Sequence, residues 1–533
     1  MLLFLISAPL RANAIPGGET FPAGHWAYET IEQLVVRGYL TSLNDAAKPY
    51  ERTDVAKAIL ETDKSEIDRP TLWLFNKLEQ ELEDELDWLR DGVFPTSAIR
   101  IGLRAEENVT KQSETPLIGR FRGRSRIALY FAEHFVVYNS QVYQQGGAPD
   151  VVSNRVYGES SGYTEQSFIA YHSDNFRVKF GRDYLDWGYA NSSLIVSNTA
   201  GSLDQIFFQF NSPTIRFTYF TAQLDRIPST YFVSTAPGDS ATSQLTSYTN
   251  RYFTAERVDF NLFGSKVRLG IWQGVIYGGL DQPIDWRFAN PFQIYFGEQY
   301  NNSTEVNPIV GADFSFYPYT GINIYGGIAI DDYQADRKEL NDLEPTEWAG
   351  TLGARTANIL RGWEIYGTDA SVEFTKVANR TFHQRALFDY QKLTFGRNPL
   401  AHVQGTDFES VEFNVSHWFR KFLQVSINVK AVAQGEGGLF KPFTEPWRDT
   451  NPDGTNKYTV EGGYTETSPT GVVDRSLALG LRIFYQPTNA FNAELNLTNV
   501  SRSNTGNVAG MNTSDFQIFF RVLFEIQPVL SLF

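Results

Sequence analysis

The sequence predicts an all-β transmembrane barrel of about eighteen antiparallel strands with a small N-terminal α-helical domain. Three observations predict it. Apolar and polar residues alternate with a period of two from Ala98 to the end of the chain. No apolar run approaches the ~18 residues that a membrane helix needs, so only a closed barrel would span a bilayer. Phe, Tyr and Trp make up 15% of the chain, which suits a wall with aromatic girdles at both interfaces.

The chain begins with a short apolar run, Met1 to Leu10. Ala12-Asn13-Ala14 then has the small-x-small form of a signal-peptidase site, so residues 1–14 read as a signal peptide. Residues 15–92 differ in texture from everything after them, with 17 acidic and 8 basic residues and helical apolar spacing. Trp26, Ile31, Leu34 and Val35 mark a first helix ending near Gly38. Thr53 stands as an N-cap with Asp54 in the first turn of a second helix, which carries Val55, Ala56, Ile59 and Leu60. A long third helix follows Pro70, with Leu72, Phe75, Leu78, Leu82, Leu86 and Leu89 on one face. Its other face, Glu79 to Asp87, reads as a solvated charge run.

Residues 93–533 read as strand, turn, strand. Phe176, Val178 and Phe180 alternate with Arg177 and Lys179. Val258, Phe260 and Leu262 reach the turn Phe263-Gly264-Ser265, and Val267, Leu269 and Ile271 return from it. Leu423 to Val429 and Leu477 to Ile483 repeat the pattern, and Phe516 to Ile526 closes it. Each apolar set is expected to face lipid and each polar set the lumen. Short turns belong on the periplasmic side, and the longer polar stretches near 226–250 and 433–475 belong outside.

Several blocks carry resemblances. Phe180-Gly181-Arg182-Asp183-Tyr184, Trp187-Gly188, Leu194 to Asn198 and Asp204-Gln205-Ile206 resemble the capsule-assembly Wzi family. So do Asn290-Pro291, Tyr295-Phe296-Gly297-Glu298-Gln299, Gly311-Ala312-Asp313 and the run Ile324 to Gln334. That resemblance implies an outer-membrane, lectin-like barrel that retains capsular or other exopolysaccharide. Gly24-His25-Trp26-Ala27-Tyr28-Glu29, with Tyr50 to Ala56, resembles one S-layer-homology motif. It makes His25, Trp26 and Arg52 candidates for contact with the cell wall and peptidoglycan. The terminal Phe533 resembles the closing-strand signal that the barrel-assembly machinery reads in Gram-negative outer-membrane proteins.

Sugar rings need flat aromatic faces beside groups that make paired hydrogen bonds. Arg182, Asp183 and Trp187 form one candidate glycan-binding cluster. Trp286, Arg287, Asn290, Glu298 and Gln299 form another, which Asp331 and Asp332 could join. The alternative for these residues is girdle anchoring and lumen charge pairing. Catalysis finds little support: no nucleophile elbow, phosphate loop or metal-type His spacing occurs, and Cys is absent. No cofactor or metal is expected, and a net charge of -15 disfavours nucleic acid. The partners expected are outer-membrane lipid and a surface polysaccharide. The rival function is a diffusion porin with a cell-wall tether, which requires an open lumen.

Overall fold

A computed structural model describes residues 17–92, 97–113, 115–131, 134–146, 159–234, 242–302, 305–334 and 338–531. The signal-peptide reading of residues 1–14 and the assembly-signal reading of Phe533 lie outside them. Among the described residues eighteen antiparallel strands form one closed wall, with Ile227–Ser234 and Val529–Ser531 as short additions to it. It closes where Ser97–Lys111 pairs with Thr513–Ile526, from Leu103 opposite Ile526 to Lys111 opposite Ile518. Closure leaves the wall without the unpaired edge that a bilayer would not solvate. The alternation sorts as predicted: Phe176, Val178 and Phe180 are exposed on the outer face while Lys179 is buried inside. The turns at Phe263 to Ser265 and Gln486 to Asn489 fall at one mouth of the barrel, with the other short connections. One expectation needs correction. Much of 226–250 is not an open loop, because Ile227–Ser234 pairs with Thr242–Thr249 as a hairpin extending the wall.

The N-terminal unit consists of α1 (Ala27–Val36), α2 (Arg52–Leu60), α3 (Arg69–Glu81) and α4 (Glu83–Asp91). Asp68 caps α3 by accepting from the Thr71 amide at 3.0 Å. The cap of α2 is Glu51 rather than Thr53. The single long helix expected after Pro70 is two, because Leu82 leaves helical geometry at φ -110°, ψ 23°. The four helices share a core of Ile31, Leu34, Phe75, Leu78 and Leu82, which continues onto the inward wall residues Trp418 and Phe484. They therefore sit inside the short-turn mouth rather than beneath it. Connections around that mouth hold them: Lys57 pairs with Asp174 at 3.0 Å, and Asn489 donates to the Lys77 carbonyl at 3.0 Å. The solvated reading of the acidic face fails at Glu81 and Glu85. Both are buried against Arg52, and Glu85 also meets Arg100 of the wall at 2.7 Å.

The other mouth is filled by its own loops. Segments 184–202 and 378–407 turn inward and bury Trp187, Leu194, Ile195, Phe382 and Leu400 against Phe220, Phe253 and Trp272. The two fillings touch. Ala47 and Lys48 pair antiparallel with Asp186 and Trp187, and the Gly188 amide donates to the Ala46 carbonyl at 2.8 Å.

Candidate functional site

The structure distributes the predicted glycan residues over three places and does not bring them together. Arg182 and Asp183 are neighbours on one strand, so they point to opposite faces. Arg182 makes a two-pronged pair with Asp204, at 2.9 and 2.6 Å. Asp183 is wholly buried, accepting from Gln166 at 2.7 Å and pairing with Lys179. Trp187 is 1% exposed, edge-on to Phe220 and beneath Arg257, so it offers no free ring face. Trp286, Arg287, Asn290, Glu298 and Gln299 lie in the segment after Val267–Leu280, outside the lumen. Arg287 there pairs with Asp285 at 2.7 Å and Glu298 at 3.3 Å, and Gln299 donates to the Val306 carbonyl at 2.9 Å. Asp331 is buried and accepts from the Phe382 amide at 2.5 Å, so it anchors an inward loop, whereas Asp332 accepts from Gln334 at 3.0 Å.

The wall-contact candidates behave similarly. His25 and Arg52 are buried in the helical core, and Trp26 is half-buried beside His25. Burial and neighbouring arginines hold the His25 imidazole well below its usual range, so it stays neutral. Where α2 meets the wall, Glu51, Asp54 and His172 place ligand atoms within 4.8 Å of one another, a geometry suited to a cation. Arg177 pairs with both carboxylates, however, and already supplies the countercharge.

A different group assembles at the long-loop mouth. Arg380, at a left-handed φ of 71°, donates to Glu466 at 2.8 Å and stacks over the buried Trp447 at 4.8 Å. Tyr464 packs on Trp447, donates to Glu466 at 2.9 Å and meets Tyr458 edge-on at 5.0 Å. Arg385 joins Glu344 and Glu445 at 2.7 and 2.8 Å. Asp407 ties the two loops, accepting from the Gly437 and Thr470 amides at 2.8 and 3.0 Å. Burial pushes the Glu344 carboxyl up to about 7 despite Arg385. Burial, and then Lys430, pushes His402 down to about 3. Tyr458 and Tyr464 are half-buried, so this hydrogen-bonded loop surface presents ring area beside guanidinium and carboxylate groups. The composition of 433–475 was the only sequence signal for it. The pairing across loops was not readable, because Arg380 and Glu466 are 86 residues apart.

Beside α1 the lumen keeps a polar cavity of about 530 Å³, lined by Glu29, Arg37, Asn191, Arg355, Asn428 and Asn496 among others. The strands from Phe408–Arg420 to Phe491–Ser503 contribute Glu412, Asn414, Asn428 and Asn496 to its lining.

A family model described as capsule assembly protein Wzi matches residues 89–517. Among solved structures the chain is similar to Wzi of Escherichia coli, described as an outer-membrane protein involved in group 1 capsule assembly and a carbohydrate-binding β-barrel. The TM-score is 0.57 at 12% identity, covering 93% of this chain and 97% of that one. It is also similar to OccD3 of Pseudomonas aeruginosa, with a TM-score of 0.45 at 8% identity over 80% and 91% of the two chains. No curated protein sequence matches it.

Proposed function

The chain belongs to the Wzi capsule-assembly family, and on that premise we propose that it assembles or retains capsular or other exopolysaccharide at the cell surface. The mechanism is non-covalent glycan binding, with no bond made or broken. The observation that carries this reading is an obstructed lumen: beside the cavity at α1, the N-terminal segment and an inward loop join backbone to backbone at Ala47 and Trp187. A diffusion porin needs that space open. The tether half of the rival reading also loses its contacts, since His25 and Arg52 are buried in the helical core.

In this proposal the short-turn mouth is periplasmic, as barrel architecture favours, and the helical unit closes it from that side. The long-loop mouth faces outward. Its Tyr458, Tyr464, Arg385 and Glu445 replace the buried Asp183 and Trp187 as the glycan-facing set. Membrane insertion by the barrel-assembly machinery, through Phe533, belongs to the same proposal.

A strain lacking the protein tests it. Complementation with the wild-type chain should restore the cell-bound polysaccharide layer, and complementation with a Tyr458→Ala, Tyr464→Ala variant should release polysaccharide to the medium. A strain whose polysaccharide layer is intact without the protein would overturn the proposal.

A further inference from the structure

We propose that residues 281–302 form a strap that descends the outside of the barrel wall into the membrane. There it is clasped by polar wall residues and presents Phe292 and Ile294 to lipid acyl chains.

The first observation is a break in exposure along one strand. On Val267–Leu280 the lipid face carries Leu269 and Ile271, which are 38% and 60% exposed. Alternation puts Gln273, Val275 and Tyr277 on the same face, yet Val275 and Tyr277 are fully buried. The cover comes from the strap: the Phe288 ring lies 5.0 Å from that of Tyr277, and Tyr295 packs beside it.

The second observation is chemical. An outward polar side chain at membrane depth is costly unless it is partnered, and so is irregular backbone. Here each solves the other's problem. Tyr219 donates to the Ala289 carbonyl at 2.6 Å, and Gln273 donates to the Gln293 carbonyl at 2.8 Å. The Gln273 side-chain carbonyl accepts from the Tyr295 amide at 3.2 Å, while Glu256 takes the other Gln273 proton.

Depth follows from register. Phe292 stacks on Phe217 with ring centres 5.7 Å apart and planes at 15°. Phe217 is the third residue of Ile215–Gln223, which starts at the short-turn mouth. Two steps of ~3.3 Å tilted ~40° place it roughly 5 Å above Ile215, and the register sets it opposite Val258, which pairs with Ile271, so the strap tip lies beside outward residues of the wall. The outward Ile271 there is 60% exposed, as a wall residue facing acyl chains would be. The tip residues Phe292 and Ile294 are 79% and 70% exposed, beside the lipid-facing residues of the wall. Trp286 and the Asp285–Arg287 pair sit higher, just after the strand top, where an aromatic girdle belongs. The occupant of this surface is therefore hydrocarbon, and Trp286, Asn290 and Glu298 leave the set of glycan-facing residues.

The chain has no Cys, so single spin labels are clean probes. Phe292→Cys, Ile294→Cys, the wall reference Leu269→Cys and the loop reference Asp453→Cys would be labelled and reconstituted in phosphatidylcholine liposomes. Accessibility to oxygen is then compared with accessibility to a water-soluble nickel chelate. At positions 292 and 294 the oxygen-to-nickel ratio should match that at 269 within about twofold and exceed that at 453 by about tenfold. Nickel-accessible labels would overturn the proposal by placing the strap in water. Labels shielded from both reagents would overturn it by placing a protein partner, such as a second copy, on this face. The clasp is read separately with Gln273→Leu in the Ile294→Cys and the Leu269→Cys backgrounds. The label should become mobile while the one at 269 is unchanged, and an immobile label would remove Gln273 from the mechanism.

Discussion

Arg52→Met should unlock the helical filling while leaving the barrel intact. Arg52 is 3% exposed and donates to Glu85 at 2.7 Å and Glu81 at 2.8 Å. Arg100 of the wall meets the same Glu85 at 2.7 Å and Glu19 at 2.6 Å, so this cluster rivets helices to wall. Burial alone would raise the Glu85 carboxyl, but Arg100 and then Arg52 reverse that and lower it from 4.5 to about 2. At about 1.4 kcal/mol per pKa unit, the environment of Glu85 favours the carboxylate by about 3 kcal/mol. Deleting one partner of a buried pair costs a similar ~3–5 kcal/mol, because the remaining charges stay buried without it. Without Arg52, the ion-pair neighbour left to Glu81 among the described residues is His25, at 3.9 Å. Amide exchange across α1 to α4, followed by mass spectrometry in detergent micelles, should accelerate by about a hundredfold or more, with the wall strands unchanged. Exchange within about threefold of wild type would refute the rivet. The sign with pH is fixed as well. A carboxyl lowered by folding contributes stability that is present above pH 4.5 and lost as pH falls toward 2. Wild type should therefore approach the variant in acid, and Glu85→Gln should show little of that dependence.

Three further outcomes follow. Trp187→Ala should destabilise the loop core by about 3–5 kcal/mol, seen as a lower thermal midpoint, because a fully buried ring leaves a cavity. His402 is kept neutral in the fold at a pKa of about 3, so the loop core should lose stability as pH falls from 6.5 toward 3. His402→Gln should flatten that profile in a pH series of thermal melts. Tyr464→Ala should weaken glycan binding several-fold, at ~0.5–1.5 kcal/mol per aromatic contact, while Trp286→Ala leaves it unchanged in a glycan pull-down.

The wall was legible because its physics is local. Val267, Leu269 and Ile271 declare a period of two, and the turn at Gly264 fixes register within one hairpin. The helices were legible for the same reason, and their errors are instructive. Glu81 and Glu85 look like solvent-facing charges until Arg52 and Arg100 arrive from 29 and 15 residues away. Asp183 and Trp187 have the right chemistry for sugar, but strand parity and an inward loop bury both. Trp286 and Glu298 read as binding residues since nothing in a linear pattern says that a loop turns outward over its own wall. Tyr458, Tyr464 and Arg380 were missed because their cluster exists only when two long loops fold together.

The most direct test of the central claim is binding of the source cell's own exopolysaccharide to the purified barrel in micelles, by titration calorimetry. Saturable binding that weakens with Tyr458→Ala, Tyr464→Ala and persists in Trp286→Ala is the predicted result. No binding by the wild-type barrel, together with large stable conductance steps in planar bilayers, would contradict it.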